Sequence, residues 1–152
     1  MHAKPVVRQA TASDAPAVQA IMNAIPWIAE SAKTEEGFER TKSACGRGEV
    51  WVVEDNSVIV STMTLTKDPL AAFCGYKIWL IRLIATIETA RRKGHARRLI
   101  HKAKEIVDDG ALTAHVQNDD SSALVSSEGF VLVEGQADAA GYPLYEWTRN
   151  AS

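Results

Sequence analysis

The segment from Trp79 to Val107 constrains the fold more than any other part of this 152-residue chain. An almost entirely apolar run at 79–86 has the length and composition of a buried strand. A basic stretch that contains one glycine, 91–98, follows it after a short turn. Beyond that stretch, apolar residues recur at the spacing of one helix face: Leu99, Ile100, Ala103, Ile106 and Val107. The segment therefore predicts a strand, a basic loop and a helix, in that order.

This order of elements predicts an anion-binding site at the start of the helix. The first backbone N–H groups of a helix have no partner within it, and the positive end of the helix dipole lies there. Gly94 has no Cβ, so a phosphate can approach its backbone closely, and Ala96 is small. Arg92, Lys93 and Arg97 are the side chains expected to touch phosphate. The Walker motif and the dinucleotide fingerprint G-x-G-x-x-G are both absent from the sequence.

Composition is that of an ordinary globular protein, with 46% hydrophobic and 24% charged residues, and it predicts one domain over residues 1–152. A net charge of −2 gives no general argument for nucleic acid or an anionic membrane as partner. No apolar run is long enough for a membrane helix, and the N-terminus resembles no secretion signal, so we expect a cytoplasmic protein with Cys45 and Cys74 reduced. The histidines and cysteines show no zinc spacing, so we expect no metal.

The rest of the chain predicts a mixed α/β (α+β) architecture. Further strands are predicted at 6–8, 50–54, 58–65, 112–116, 130–133 and 144–147. Further helices are predicted from Ser13 or Asp14 to Pro26, from Thr34 to Gly46 or Gly48, and from Asn118 to Gly129. A loop is predicted at 70–76, another at 135–143, and a helix end at 108–110. Strands 79–86 and 112–116, which a helix joins, are expected to be parallel neighbours.

Three motifs in register resemble those of the GNAT superfamily of N-acetyltransferases. Arg91-x-x-Gly94-x-Ala96 resembles the family's Q/R-x-x-G-x-G/A signature. The stretch 7–14 is similar to its frequent opening, and Asn118 with the later Gly129-Phe130 is similar to its ending. The resemblance covers nearly the whole chain. It implies a central, mixed and mostly antiparallel sheet of about seven strands, with one splayed parallel pair and helices on both faces.

The resemblance also implies acetyl-CoA as cosubstrate. The amides of 92–97 would hold its pyrophosphate, the strand end at 84–86 would pair with its pantetheine arm, and the thioester would lie where that strand splays from 112–116. The implied cofactor-binding residues are Ile84, Ala85, Thr86, Arg91, Arg92, Lys93, Gly94, His95, Ala96, Arg97 and Asn118.

The catalytic residues are less well marked. GNAT enzymes transfer acetyl from the thioester directly to a neutral amine, and a tyrosine after the "L" of the final motif often protonates the leaving thiolate. Here Val125 occupies that position, and no glutamate lies at 78–82. His115 and Glu30 are the candidate catalytic residues, and Glu88 is a further candidate base. A polar side chain on the outer face of the sheet is an equally good interpretation of His115, as a solvated acid is of Glu30.

Three functional hypotheses follow. The first is N-acetyltransfer from acetyl-CoA to a primary amine of a small molecule or peptide. The second is an acyl-CoA-binding sensor or structural protein with little catalysis, which the absent tyrosine and glutamate favour. The third, nucleic-acid binding by the basic helix, is disfavoured by the net charge. We expect neither nucleic acid nor membrane as partner, and the sequence leaves a homodimer open.

Overall fold

The computed structural model describes residues 4–107 and 110–149. The strands are β1 (Val6–Gln9), β2 (Val50–Asp55), β3 (Val58–Lys67), β4 (Ile78–Thr86), β5 (Ala111–His115), β6 (Val131–Ala137) and β7 (Pro143–Thr148). The α-helices are α1 (Ala15–Asn23), α2 (Glu35–Gly46), α3 (Pro69–Phe73), α4 (His95–Val107) and α5 (Asp119–Ser127). Short 3-10 turns cover Ala12–Asp14, Glu30–Lys33 and Glu88–Ala90.

The strands form a seven-stranded sheet in the order β1-β2-β3-β4-β5-β7-β6. It is mostly antiparallel and contains one parallel pair, β4 with β5, in which Ile78–Ile81 lie opposite Ala111–Ala114. The predicted fold class, a mixed and mostly antiparallel sheet with one parallel pair and accompanying helices, is confirmed. The chain divides into two compact units, here unit 1 (residues 4–64 and 83–99) and unit 2 (residues 65–82, 100–107 and 110–149).

Unit 1 has its own apolar core and a hydrogen-bonded N-terminal segment. The core residues come mainly from α1, β2 and the connector after α1, and they include Val18, Ile21, Met22, Ile25, Ile28, Val50 and Val52. Arg8 on β1 donates to Asp14 at 2.8 Å, and this contact lowers the pKa of Asp14 to about 2. The helix α2 begins as predicted, because Thr34 Oγ1 accepts a hydrogen bond from the N–H of Gly37 at 3.0 Å.

Unit 2 contains α5 and the part of α4 from Ile100 onward, and it has buried apolar residues of its own. Buried residues of this unit include Ile100, Ala103, Val107, Leu112, Val125 and Phe130. Lys104 Nζ donates to the carbonyl of Glu128 at 2.6 Å and lies 5.1 Å from the centre of the Trp147 ring. Lys104 therefore joins the end of α5 to α4 by a charged hydrogen bond, and it also makes a cation–π contact with β7.

Two predicted loops prove partly structured. The loop predicted at 70–76 is wrong, because α3 covers Pro69–Phe73. Asp68 Oδ1 accepts from the N–H of Ala71 at 3.1 Å, and Pro69 is preorganised for the first helical position. Leu70 and Phe73 are 73% and 88% exposed, so the helix has little buried face that periodicity could reveal.

The connection predicted at 135–143 is shorter than expected, because β6 continues to Ala137, beyond an irregularity in its register with β7. The helix end predicted at Asp108-Asp109-Gly110 lies partly outside the described residues. The bounds of β1, β2 and β5 agree with the prediction to within two residues.

Candidate functional site

A backbone irregularity in β4 precedes the candidate site. Leu83 has a φ of 53°, in the left-handed region that costs a residue with a side chain roughly 1–2 kcal/mol. The parallel register with β5 covers only Ile78–Ile81, and β4 continues through this irregularity to Thr86. The strand therefore departs from regular geometry directly before the predicted pantetheine segment, Ile84–Thr86.

The backbone of segment Ile84–Thr86 contacts β3 along one edge, and its other edge is directed away from β3. Ser61 Oγ donates to the carbonyl of Ala85 at 2.9 Å, and the N–H of Ile87 donates to the carbonyl of Val60 at 2.9 Å. Both contacts are to β3. Because alternate residues of a strand direct their backbone groups to opposite sides, Ile84 and Thr86 direct theirs away from β3. An extended ligand along that second edge would pair with Ile84 and Thr86 rather than with Ala85.

The loop of residues 91–94, which we call the anion loop, has two left-handed residues. Arg92 has a φ of 66° and Gly94 a φ of 78°, and all four side-chain positions are exposed. The flanking Arg91 is extended, with φ −69° and ψ 159°, so the left-handed residues turn the backbone before α4 begins. Successive N–H groups in such a turn can face a common point, where an anion can bind. The N–H of Arg98 donates to the carbonyl of Gly94 at 3.0 Å, which opens the hydrogen bonding of α4. The amides of His95 and Ala96 precede that bond, at the helix positions whose N–H groups have no acceptor within the helix.

Positive charge surrounds the anion loop, but its cations are not equivalent. Arg91 Nε donates to the carbonyl of Thr86 at 3.3 Å, and Arg98 Nη1 donates to the carbonyl of Lys93 at 2.7 Å. Arg92 and Lys93 have exposed side chains. With the helix dipole and the first-turn amides, these groups form a site that favours a multiply charged anion.

His95, predicted to bind the cofactor, has a buried side chain. The residue is 2% exposed, and its Nε2 atom lies 3.8 Å from Asp55 Oδ2 at the end of β2. Burial lowers the pKa of His95, the cations of Arg98 and Lys93 lower it further, and the Asp55 carboxylate acts in the opposite direction. The ring is therefore neutral near pH 7, and the group through which His95 can reach an anion is its backbone N–H.

Asn118 and Val125, both in unit 2, have structural roles in α5. Asn118 is the N-cap, and its Oδ1 accepts from the N–H of Ser121 at 2.8 Å. Val125, at the position expected for a tyrosine, is 5% exposed. One turn earlier, Ser122 Oγ hydrogen-bonds the Tyr145 hydroxyl at 2.9 Å.

The two candidate catalytic residues lie in different units. His115 is the last residue of β5 in unit 2, is half-buried and is opposite Leu144 of β7. Glu30 opens a 3-10 turn in unit 1, and its side chain is 91% exposed. Its nearest charged partner is Lys33 Nζ, 3.6 Å from Glu30 Oε1.

A family model described as "Acetyltransferase (GNAT) family" matches residues 18–126, which contain the anion loop. The chain belongs to the GNAT acetyltransferase family. It is thus an acyltransferase by family, and the predicted resemblance is confirmed. No curated protein matches the sequence significantly.

Solved structures of this family share the fold at low sequence identity. A mosquito arylalkylamine N-acetyltransferase-like protein has a TM-score of 0.74 at 13% identity, with coverage of 95% of this chain and 100% of the other. Diaminobutyrate acetyltransferase EctA from Paenibacillus lautus, solved with its substrate and coenzyme A, has a TM-score of 0.72 at 13% identity and 95% coverage of both chains. The PaiA N-acetyltransferase of Thermoplasma acidophilum, in complex with coenzyme A, has a TM-score of 0.71 at 12% identity, covering 96% and 99%.

The structure of this GNAT protein brings Ile84–Thr86 and the residues from Arg91 to Arg97 together in unit 1. Asn118 and His115 belong to unit 2. The sequence did not predict the roles of Ser61 and Asp55 as partners of Ala85 and His95, nor the contact of the Arg98 side chain with the Lys93 carbonyl. A serine inside the apolar strand 58–65 was the one available signal, because a buried hydroxyl needs a partner.

Two features that would indicate other functions are absent from the described residues. Within residues 4–107 and 110–149, no three His, Cys, Asp or Glu side chains gather in a way that could hold a metal ion. Over the same residues, none of the helices has the length and apolarity required to span a membrane.

Proposed function

We propose that this GNAT protein transfers the acetyl group of acetyl-CoA directly to a primary amine of a small molecule or peptide. The observation that carries the proposal is the anion loop, in which two left-handed residues lead into the first turn of α4 beside a strand edge. Coenzyme A has a pyrophosphate and a long amide-bearing arm, which suit these two features. Coenzyme A in the P. lautus and T. acidophilum complexes supports the same ligand.

In this proposal the chain binds the coenzyme largely with backbone groups. The amides from Arg92 to Arg97 hold the pyrophosphate, with Arg91, Arg92 and Lys93 adding charge. Ile84 and Thr86 pair with the pantetheine amides, because their backbone groups are directed away from β3. Asn118 would donate from Nδ2, since its Oδ1 caps α5.

The chemistry needs a neutral amine, because a protonated amine has no lone pair for attack. The amine nitrogen forms a bond to the thioester carbonyl carbon, the carbon–sulfur bond breaks, and the thiolate leaves with the electron pair. We propose His115 as the base, directly or through water, since the neutral imidazole of a histidine can accept a proton from an amine. Glu30 is proposed to attract a cationic acceptor, because its carboxylate is exposed next to a chain segment that also exposes Trp27.

The leaving thiolate would take its proton from solvent or from the amine. Val125 supplies no acidic group, and a thiolate is a stable enough leaving group to depart unprotonated. Replacement of His115 by Asn is then expected to lower turnover while leaving the dissociation constant for acetyl-CoA unchanged. An unchanged turnover in H115N would exclude His115 as base.

Thermal unfolding with and without acetyl-CoA tests the coenzyme. Ligand at about 100 times its dissociation constant stabilises the folded state by about 2.7 kcal/mol, which raises the Tm by several degrees in a chain of this length. A panel of primary amines, followed by release of free thiol, then tests transfer. Absence of any shift with acetyl-CoA or longer acyl-CoA esters would refute the proposal.

A second candidate is an acyl-CoA-binding protein with little catalysis. The burial of Val125 where an acid is expected, and the solvation of Glu30, favour it. Acyl-CoA binding without thiol release across the amine panel would support this candidate, and robust turnover would exclude it.

Several expectations stay predictions. They are a single acetyltransferase domain over residues 1–152, a cytoplasmic location, independence of metal, no binding of nucleic acid or membrane, and the choice between monomer and homodimer.

A further inference from the structure

Arg98 is folded back across the anion loop instead of extending into solvent. Its backbone N–H donates to the carbonyl of Gly94 at 3.0 Å. Its Nη1 atom donates to the carbonyl of Lys93 at 2.7 Å and lies 3.2 Å from His95 Nδ1. Arg98 therefore contacts three consecutive residues at the junction of loop and helix, Gly94 through its backbone and Lys93 and His95 through its side chain.

The contact with Arg98 defines the hydrogen-bonding state of His95. A guanidinium can only donate, so His95 Nδ1 is the acceptor and the ring proton of the neutral form lies on Nε2. That proton faces Asp55 Oδ2, 3.8 Å away, and Nε2 is buried with no hydrogen bond to any described residue. The ring is thus oriented by Arg98 on one side and by a carboxylate on the other.

The carbonyl of Lys93 is the point through which this arrangement acts on the anion loop. The carbonyl of Lys93 and the N–H of Gly94 belong to one planar peptide unit and point in opposite directions. When Arg98 fixes the carbonyl toward the helix, the N–H of Gly94 is directed the other way, to the exposed side of the loop. Without this contact the peptide unit loses the hydrogen bond that holds its carbonyl toward the helix.

We propose that His95 and Arg98 are positioning residues, which hold the peptide unit between Lys93 and Gly94 in the orientation that binds the pyrophosphate of coenzyme A. Neither side chain touches the ligand. His95 supplies the second acceptor that keeps the guanidinium against the loop, which an apolar residue of equal size would not do. The inference rests on the proposed function, since it concerns how the same site is shaped.

Calorimetric titration with coenzyme A and with dephospho-coenzyme A, at about pH 7.5, tests the proposal. H95L keeps the volume of the side chain but removes the acceptor, whereas H95N places an amide oxygen close to the position of Nδ1. R98M removes the donor. Lys102→Met and His101→Leu, further along the same helix, are the matched controls, and the Tm of each free variant is measured in parallel.

We expect H95L and R98M each to weaken both ligands about tenfold, the loss that one charged hydrogen bond represents. H95N is expected to recover most of the affinity. The double variant H95L/R98M is expected to bind no more weakly than R98M alone, because both changes remove the same contact between Arg98 and the Lys93 carbonyl. Both controls are expected to bind like the wild type.

Three results would overturn the inference. Unchanged affinity in R98M would show that the anion loop binds the ligand without the hydrogen bond from Arg98. A loss in R98M with coenzyme A but not with dephospho-coenzyme A would show direct binding of the 3′-phosphate. Equal losses in H95L and H95N would show that the acceptor is unimportant. A wild type that binds no coenzyme A would refute the proposed function itself, whereas wild-type binding with unaffected variants refutes this inference alone. If H95L does not fold, R98M and H95N still decide.

Discussion

Replacement of Gly94 by Ala tests whether the left-handed backbone of the anion loop is required for coenzyme binding. Gly94 has a φ of 78°, where a residue with a Cβ is disfavoured by roughly 1–2 kcal/mol relative to glycine. A Cβ built there would meet Arg98 Nη1 at 3.5 Å, an ordinary contact distance, so steric clash adds little. The conformational cost of roughly 1–2 kcal/mol is thus the whole expected effect.

This cost can be expressed in two measurable ways. If the loop of G94A keeps its shape, the free energy of unfolding falls by about 1–2 kcal/mol, and the Tm falls by about 2–8 °C in a chain of this length. If the loop relaxes, stability is retained and coenzyme A must restore the shape, so the dissociation constant rises about 5- to 30-fold. The two losses together should total roughly the left-handed cost.

Thermal unfolding of the free protein and calorimetric titration with coenzyme A measure both quantities. Gly141→Ala is the matched control, because Gly141 has a φ of 86°, its added Cβ meets open space, and it lies in the hairpin between β6 and β7. G141A is expected to lose similar stability with no change in affinity. Wild-type stability and affinity in G94A, or an equal loss of affinity in G141A, would refute the reasoning.

Further predictions concern the contacts that support the site and the N-terminal segment. The pKa of His95 is lowered from 6.5 in the folded protein, so the unfolded chain binds a proton more readily and the free energy of unfolding falls as the pH drops below 6.5. H95N should reduce this dependence of the free energy of unfolding on pH. An identical dependence in H95N and the wild type would contradict the assignment. Arg8→Met should cost roughly 1–2 kcal/mol at pH 7, because Asp14 loses the partner that lowers its pKa to about 2. The difference should shrink as the pH falls from about 4 toward about 2, since protonation then removes the same pair in the wild type, and a pH-independent difference in urea unfolding would exclude it. Ser61→Ala should lower stability by about 1–3 kcal/mol, because the buried carbonyl of Ala85 loses its hydroxyl donor; an unchanged urea midpoint would show that this bond is unimportant.

Much of the fold was predictable from the sequence because local and long-range preferences agree in its main elements. The strand β4, the anion loop and α4 are each marked by an apolar run, a glycine and a helical spacing. The cap of α2 was predicted from Thr34, whose hydroxyl makes the expected hydrogen bond. The helix α3 was missed because it is short and its Leu70 and Phe73 are exposed, so no helical spacing of buried residues marks it.

Other features of the site have no local signal. Leu83 adopts a left-handed conformation that its residue type disfavours, so the surrounding structure must impose it. The Ser61–Ala85 and Asp55–His95 contacts join residues that lie 24 and 40 positions apart. A single sequence does not show which of many polar residues will meet across such distances.

The sequence marks the proposed coenzyme site more clearly than the proposed catalytic residues, and this difference has a physical cause. A pyrophosphate can be held by consecutive backbone amides, so the sequence needs only a glycine, a small residue and a helix start, all within residues 91–97, to encode the site. A base or an acid is one side chain, and its pKa and reach depend on which other elements surround it. His115 and Glu30 carry suitable groups but no local pattern that identifies their task, and Val125 removes the one position at which the family resemblance would have named a residue. In this chain, therefore, the sequence motif indicates the proposed coenzyme site because backbone groups would do most of the binding. The catalytic side chains are instead assigned by measured effects such as that of H115N.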